Sequence, residues 1–215
     1  MARRAAHTPA TADRILQAAA ERFATEGFHA TTTREIAAAA GVRGPSVYHH
    51  FPSKETILYC IALGTMDELL DGARTAVASA MGPERQLRRM IEWHVRYHAN
   101  HSLQARVADE QLHALSAARR AEVVAVRDDY QLLLRGVLVE GRDRLGWQVD
   151  DVDVATYALA TMATGVCVWF REGGRLSAEA VASIYGDLAV RAVAGAPLAA
   201  LAPGAATGMI GGGRL

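Results

Sequence analysis

Thr32-Thr33-Arg34-Glu35-Ile36-Ala37-Ala38-Ala39-Ala40-Gly41-Val42-Arg43-Gly44-Pro45-Ser46-Val47-Tyr48-His49-His50-Phe51-Pro52-Ser53-Lys54-Glu55 decides how the 215-residue chain is read. Thr32 followed three residues on by Glu35 has the form of a capping box. The threonine oxygen accepts from the Glu35 amide and the carboxylate accepts from the Thr32 amide. A short helix is therefore expected over 33–40. Gly41 ends it, and Pro45, Val47, Tyr48 and Phe51 describe a second short helix that stops before Pro52, because the residue preceding a proline is pushed out of the α region. Two short helices hold a fixed angle only where a small residue sits at their contact and glycine makes the turn. Ala37 fills the first role and Gly41 the second, while Val42 and Val47 bury the second helix against Ile36 and Phe23. The spacing is that of a helix-turn-helix.

Such a motif offers the N-terminal residues of its second helix to base edges in the major groove. Here these are Arg43, Gly44, Pro45 and Ser46. Arg43 is the candidate for direct readout, since a guanidinium can bond O6 and N7 of guanine together. Gly44 and Pro45 offer shape and close backbone approach. Phosphate contacts are expected around them from Thr31 and Thr33, from Tyr48 and His49, and from Lys54. Lys54 is the only lysine in the chain. At a helix N-terminus it opposes the macrodipole, an arrangement that a phosphate would make favourable.

The rest of the chain reads as all-α, with about nine helices. Ala, Leu, Arg and Glu dominate, β-branched alternation is nearly absent, and apolar residues recur at intervals of three and four. Thr11 is expected to cap a first helix over 11–26, with Ile15, Ala18, Ala19 and Phe23 on one stripe and Gly27 as its stop. Ser53 caps a longer fourth helix. Beyond Gly82-Pro83, helices are expected over 83–100, 102–113, 116–144, 151–171 and 177–193. The domain division expected is a DNA-binding head over 1–56, a long-helix body over 57–195, and a flexible Gly/Ala/Pro tail over 196–215.

Net charge is zero, so a DNA site must come from local arrangement: residues 1–60 hold seven basic side chains, Arg3 and Arg4 among them, against five acids. Cys60 and Cys167 lack CxxC spacing, which fits a reducing cytoplasm and gives no zinc or disulfide framework. No apolar run long enough for a membrane span is read, and Met1-Ala-Arg-Arg lacks the apolar segment of a signal peptide. No nucleophile with its base, glycine-rich phosphate loop or paired carboxylates point to an enzyme, and no cofactor is expected.

Within this frame, Arg14-Ile15-Leu16 through Ala19, Phe23, Gly27, Thr32-Thr33, Ile36, Ala40-Gly41-Val42 and Val47-Tyr48-His49-His50-Phe51-Pro52-Ser53-Lys54-Glu55 resembles the N-terminal domain of the TetR family. The resemblance implies a dimeric regulator, on double-stranded DNA, released by a small-molecule effector, with the 57–195 body as the effector-binding and dimerisation domain. One departure, Arg43-Gly44-Pro45 in place of the usual Ser-Lys/Arg-Gly/Ala, leaves the operator sequence open.

In the body, Trp93 and Tyr97 lie one turn apart, as do His94 and His98. The histidine pair has metal-ligand spacing, with Glu110 and His113 as conceivable companions, but a polar pocket wall or a solvated face is the plainer reading and no metal is assigned. Candidate effector contacts are Trp93, Tyr97, Arg106, Glu110, Arg127, Tyr130, Leu134, Thr161 and Trp169. Arg106, Asp109, Arg127 and Arg135 could hold an anionic or polar group, but surface ion pairs are the plainer reading of them. Tyr97-His98-Ala99-Asn100-His101, Glu110, Leu112 to Ser116, Arg119-Arg120, Arg127-Asp128-Asp129-Tyr130 and Trp169-Phe170-Arg171 resemble the acyl-CoA-responsive branch of the family. That resemblance implies an acyl-CoA or hydrophobic-acid effector. A drug-like apolar ligand and drug-efflux control is the alternative, and a helical interaction module without DNA binding is an alternative of another kind. The last two helices, with a Val181, Ile184 and Leu188 stripe, are expected to form a symmetric homodimer interface.

Overall fold

The computed structural model describes residues 9–195. The Arg3-Arg4 arm and the 196–215 tail lie outside them. Among the described residues every regular element is helical: α1 (Pro9–Glu26), α2 (Thr33–Ala39), α3 (Gly44–His50), α4 (Lys54–Ala78), α5 (Pro83–Asn100), α6 (Ser102–Glu110), α7 (Ala117–Leu145), α8 (Val152–Thr164), α9 (Val166–Trp169) and α10 (Ala178–Ala194), with a 3₁₀ turn at Leu112–Ala114.

The caps follow the sequence with one exception. The Thr32–Glu35 capping box forms, and the Ser53 and Ser177 side chains accept from the Thr56 and Ala180 amides. Thr11, expected as a cap, sits inside α1, which begins two residues earlier. Two other boundaries differ. The sixth helix ends at Glu110 and tightens into the 3₁₀ turn instead of running to 113. The eighth breaks at Gly165, where one amide meets both the Ala163 and Thr161 carbonyls, and only the one-turn α9 follows.

One continuous buried cluster joins head and body. In the head, Ile15, Phe23, Ile36 and Val47 are fully buried, and in the body Leu87, Met90, Ile91, Leu134 and Leu138 are. Close helix approach is made by glycine. A Cβ at Gly72 on α4 would fall 2.0 Å from the Trp93 ring on α5, and Gly186 lets α10 settle against Arg88 and Glu92 of α5. Arg88 then pairs with Asp187.

Val152–Trp169 is long and apolar enough, by composition, to cross a membrane, which corrects the expectation of no such run. Its physical setting is otherwise: Gly165 interrupts it, and α8 packs on α5 and α7 while α9 packs on α5 and α6. Val154, Tyr157, Val168 and Trp169 are exposed, as are Ile184 and Leu188 of α10.

Candidate nucleic-acid interface and effector cavity

The head is assembled around a turn that the Arg14 side chain holds from behind. Gly41 has φ 64, a left-handed conformation that favours glycine, and the Val42 amide donates to Ala37 O at 2.9 Å. Arg14 of α1 donates to the carbonyls of Ala40 and Gly41. A Cβ at position 41 would meet that guanidinium at 2.9 Å. With Val47 buried beneath it, α3 presents Arg43, Pro45, Tyr48 and His49 outward, while Gly44 and Ser46 are half-buried. The Tyr48 hydroxyl lies 2.8 Å from Thr33 Oγ1, so these two expected phosphate contacts share one edge between α2 and α3. Arg43 precedes α3 with no side-chain cap bond.

Two expected phosphate ligands are placed elsewhere. Thr31 is fully buried and its hydroxyl donates to Gly27 O at 2.9 Å. Lys54 turns back under the loop between α1 and α2, donating to Phe28 O at 2.6 Å and Thr31 O at 2.7 Å, with His29 O at 3.4 Å. Its ammonium also stands 4.3 Å from the Phe28 ring centre. Partial burial lowers its pKa. The ammonium therefore satisfies loop carbonyls while staying only half-buried. Its position in the sequence gave no sign of this, because the acceptors are main-chain carbonyls of a loop more than twenty residues upstream.

In the body, α4, α5, α6, α7 and α8 enclose a cavity of about 230 Å³. Its apolar wall comes from Met66 and Leu69 of α4 and from Ala105 and Ala108 of α6, whose small side chains leave the space open. Its polar end is a buried chain of groups. His94 Nδ1 lies 2.6 Å from the Tyr130 hydroxyl and Nε2 3.1 Å from Thr164 Oγ1. The His98 ring stacks on His94 with centroids 4.4 Å apart, and His98 Nδ1 donates to His94 O at 3.1 Å. Burial pushes His94 well below its usual range and His98 down to about 4, and raises the Tyr130 phenol. All three are neutral near pH 7. Arg127 and Asp109 pair at 2.7 Å where the lining reaches solvent. Burial raises the Asp109 pKa against the pull of Arg127. Among the described residues, no three His, Cys, Asp or Glu side chains converge as a metal site would require.

Of the expected effector contacts, Arg127, Tyr130 and Thr161 line this cavity. The others lie off it, each for a local reason. The Trp93 indole donates to Leu69 O at 3.0 Å and covers Gly72. Tyr97 donates to Glu68 at 2.9 Å and stacks on His101. Arg106 and Glu110 pair with each other along α6 at 3.2 Å. Leu134 is spent in the core, and Trp169 is half-exposed beside Tyr185. Met66, Leu69 and the α6 alanines were not read as lining, because nothing in the local pattern distinguishes an alanine that borders a void from one that packs a helix.

The segment of α6 and the 3₁₀ turn touches both regions. Ala105, Ala108 and Asp109 face the cavity, while Gln104 donates to Gln17 of α1 at 2.7 Å and Gln111 accepts from the Phe28 amide at 3.2 Å. A second tie runs from Glu55 at the start of α4 to the Ser116 amide at 2.9 Å and to Arg119 at 3.4 Å.

Residues 15–59 match the family described as bacterial regulatory proteins, tetR family, and residues 80–193 match the tetracyclin repressor-like C-terminal domain. The chain is 34% identical over 173 residues to the transcriptional repressor KstR2 of Rhodococcus jostii, covering 80% of this chain and 85% of that protein. Among solved structures, the TetR-family regulator PfmR of Thermus thermophilus superposes with a TM-score of 0.76 at 35% identity, covering 83% of this chain and 98% of that one. The ketosteroid transcriptional regulator KstR2 of Mycobacterium tuberculosis gives 0.79 at 27% identity, covering 86% and 95%. With the helix-turn-helix, the helical body and a relative matched over 85% of its length in agreement, the chain belongs to the TetR family of bacterial transcriptional regulators.

Proposed function

We propose that this regulator is a cytoplasmic repressor that grips a palindromic operator as a homodimer and lets go when a compact apolar effector enters the α4–α8 cavity. The observation that carries the reading is the double engagement of α6 and its 3₁₀ turn, which border the cavity on one side and are bonded to α1 and to the α1–α2 loop on the other. An effector that binds one position of α6 better than another shifts the orientation of the head by the same free energy. Residues 1–56 act as the head and 57–195 as the body, with the boundary falling in the first turn of α4.

Arg43, Gly44, Pro45 and Ser46 read bases, and Thr33, Tyr48 and His49 hold phosphates. The effector meets Arg127, Tyr130 and Thr161 together with His94 and His98. At about 230 Å³ the cavity is smaller than the roughly 300–1,000 Å³ of pockets for drug-sized ligands. It suits the acyl part of an acyl-CoA, with the coenzyme left outside, or another small hydrophobic molecule. The name of KstR2, a ketosteroid regulator, favours an apolar effector of the same general kind.

Fluorescence anisotropy of the promoter fragment of its own gene tests this, with salt varied and a panel of acyl-CoAs and apolar drugs added. Tight binding that falls steeply with salt, and is reversed by one acyl-CoA, is the expected result. Reversal only by a drug-like ligand would move the effector to the other class. Absence of binding to any duplex at low salt would overturn the regulator's proposed mode of action.

A further inference from the structure

His98 is almost wholly buried and borders the cavity. Its Nδ1 faces a carbonyl oxygen, that of His94, at 3.1 Å. A carbonyl can only accept, so Nδ1 carries the proton. In a neutral imidazole the other nitrogen, Nε2, is then a bare acceptor, and no donor within the described residues meets it. Burial keeps the ring neutral, with a pKa of about 4, so the acceptor character holds throughout the physiological range.

The surroundings sharpen the demand. The His94 nitrogens are committed to Tyr130 and Thr164, and the Arg127 charge is committed to Asp109. Thr161 and Gln131 on the lining can donate or accept, whereas His98 Nε2 is a neutral ring nitrogen that only accepts. Nε2 is not among the buried atoms shut off without a partner, so it is reached from the cavity, where water or a ligand can donate to it.

We infer that the effector carries an O–H or N–H donor, most simply a hydroxyl, on the part that enters the cavity, and that His98 Nε2 accepts it. The inference rests on the cavity being the effector site. It discriminates within the apolar effector class: a ketone or a thioester carbonyl offers only lone pairs to Nε2, and an ionised carboxylate would add repulsion, whereas a hydroxylated ring or a hydroxyacyl chain is complementary.

The test uses the full chain and matched bicyclic probes, 2-decalol against 2-decalone, which differ in whether the oxygen carries a hydrogen. Binding is measured by titration calorimetry up to the solubility limit, and the imidazole nitrogens are followed by ¹⁵N NMR of histidine-labelled protein. The free protein is expected to show Nδ1–H and bare Nε2 at His98. Decalol should bind about tenfold more tightly than decalone and shift the Nε2 resonance. His98→Phe, which keeps an aromatic ring stacked on His94, should erase the preference while decalone binding persists; a thermal melt verifies that the variant is folded. A proton on Nε2 in the free protein, equal affinity for the two probes, or a preference that survives His98→Phe would overturn the inference. Decalol preference without any effect on operator binding would leave the donor assignment standing and remove the cavity as the effector site. Binding of neither probe would count against both.

Discussion

Lys54 and Arg43 are both cationic residues at the edge of the helix-turn-helix, and they differ in their partners: Lys54 bonds loop carbonyls, while Arg43 makes no cap bond. Lys54 satisfies two loop carbonyls at 2.6 and 2.7 Å behind the head. Lys54→Ala leaves those carbonyls short of a donor and is expected to lower stability by about 1–3 kcal/mol, with operator binding lost through the loosened head. Arg43→Ala should leave the melting temperature unchanged and relax base preference at one operator position by about 1–3 kcal/mol. Thermal melts run beside operator titrations of the two variants separate these effects. The buried histidines set a pH dependence of definite sign. The unfolded chain takes up a proton at His98 below its ordinary pKa of 6.5, whereas the folded chain does so only near 4. Stability is therefore lost as pH falls through that window, and His94 acts in the same direction. Urea unfolding should show a loss of about 2 kcal/mol from His98 between about pH 7 and about pH 5, with His94 adding to it and His98→Phe reducing it. Glu35 and Glu55, held low by their bonds to Thr32 and Ser116, lose their contribution only at more acidic pH, below the usual 4.5.

At the scale of elements, α6 is the link between cavity and head. Replacing Gln111 by Ala removes the acceptor of the Phe28 amide while leaving the cavity lining intact. Operator affinity measured with and without a bound effector should then show a smaller ratio than in the native chain, with effector affinity itself little changed. Elements were also where the sequence was most and least informative. The Thr32–Glu35 capping box, the Gly41 turn and the Ser53 cap are local chemistry, each decided within about four residues, and they fall where the pattern puts them. The break at Gly165 and the early end of α6 were not read because the apolar spacing continues past both, although α9 packs on α5 and α6 as a separate turn. The same holds for the cavity. Tyr130, Arg127 and Thr161 could be picked out as polar residues on apolar helices, but which aromatic side chain faces a void depends on neighbours distant in sequence. Trp93 is the clearest instance, being claimed by the Leu69 carbonyl and the open space over Gly72. Gly72→Ala would drive a methyl into that ring and is expected to cost about 1–3 kcal/mol in chemical denaturation.

Across the described molecule, Val154 and Tyr157 of α8 and Ile184 and Leu188 of α10 are exposed apolar side chains on two of the last helices. A second copy meeting them through a two-fold axis would cover all four residues twice and set two heads at a fixed separation. Ile184→Glu combined with Leu188→Glu is expected to give a folded monomer in sedimentation analysis and to weaken operator binding sharply, since each head would then bind alone. The most direct test of a paired, sequence-reading head is selection of bound sequences from a randomised duplex pool by the full chain. Two heads on a two-fold axis predict an inverted repeat whose half-site centres lie about 34–36 Å apart along the DNA, or a multiple of it. Enrichment of a single unpaired half-site, or of no sequence at all, would contradict the account.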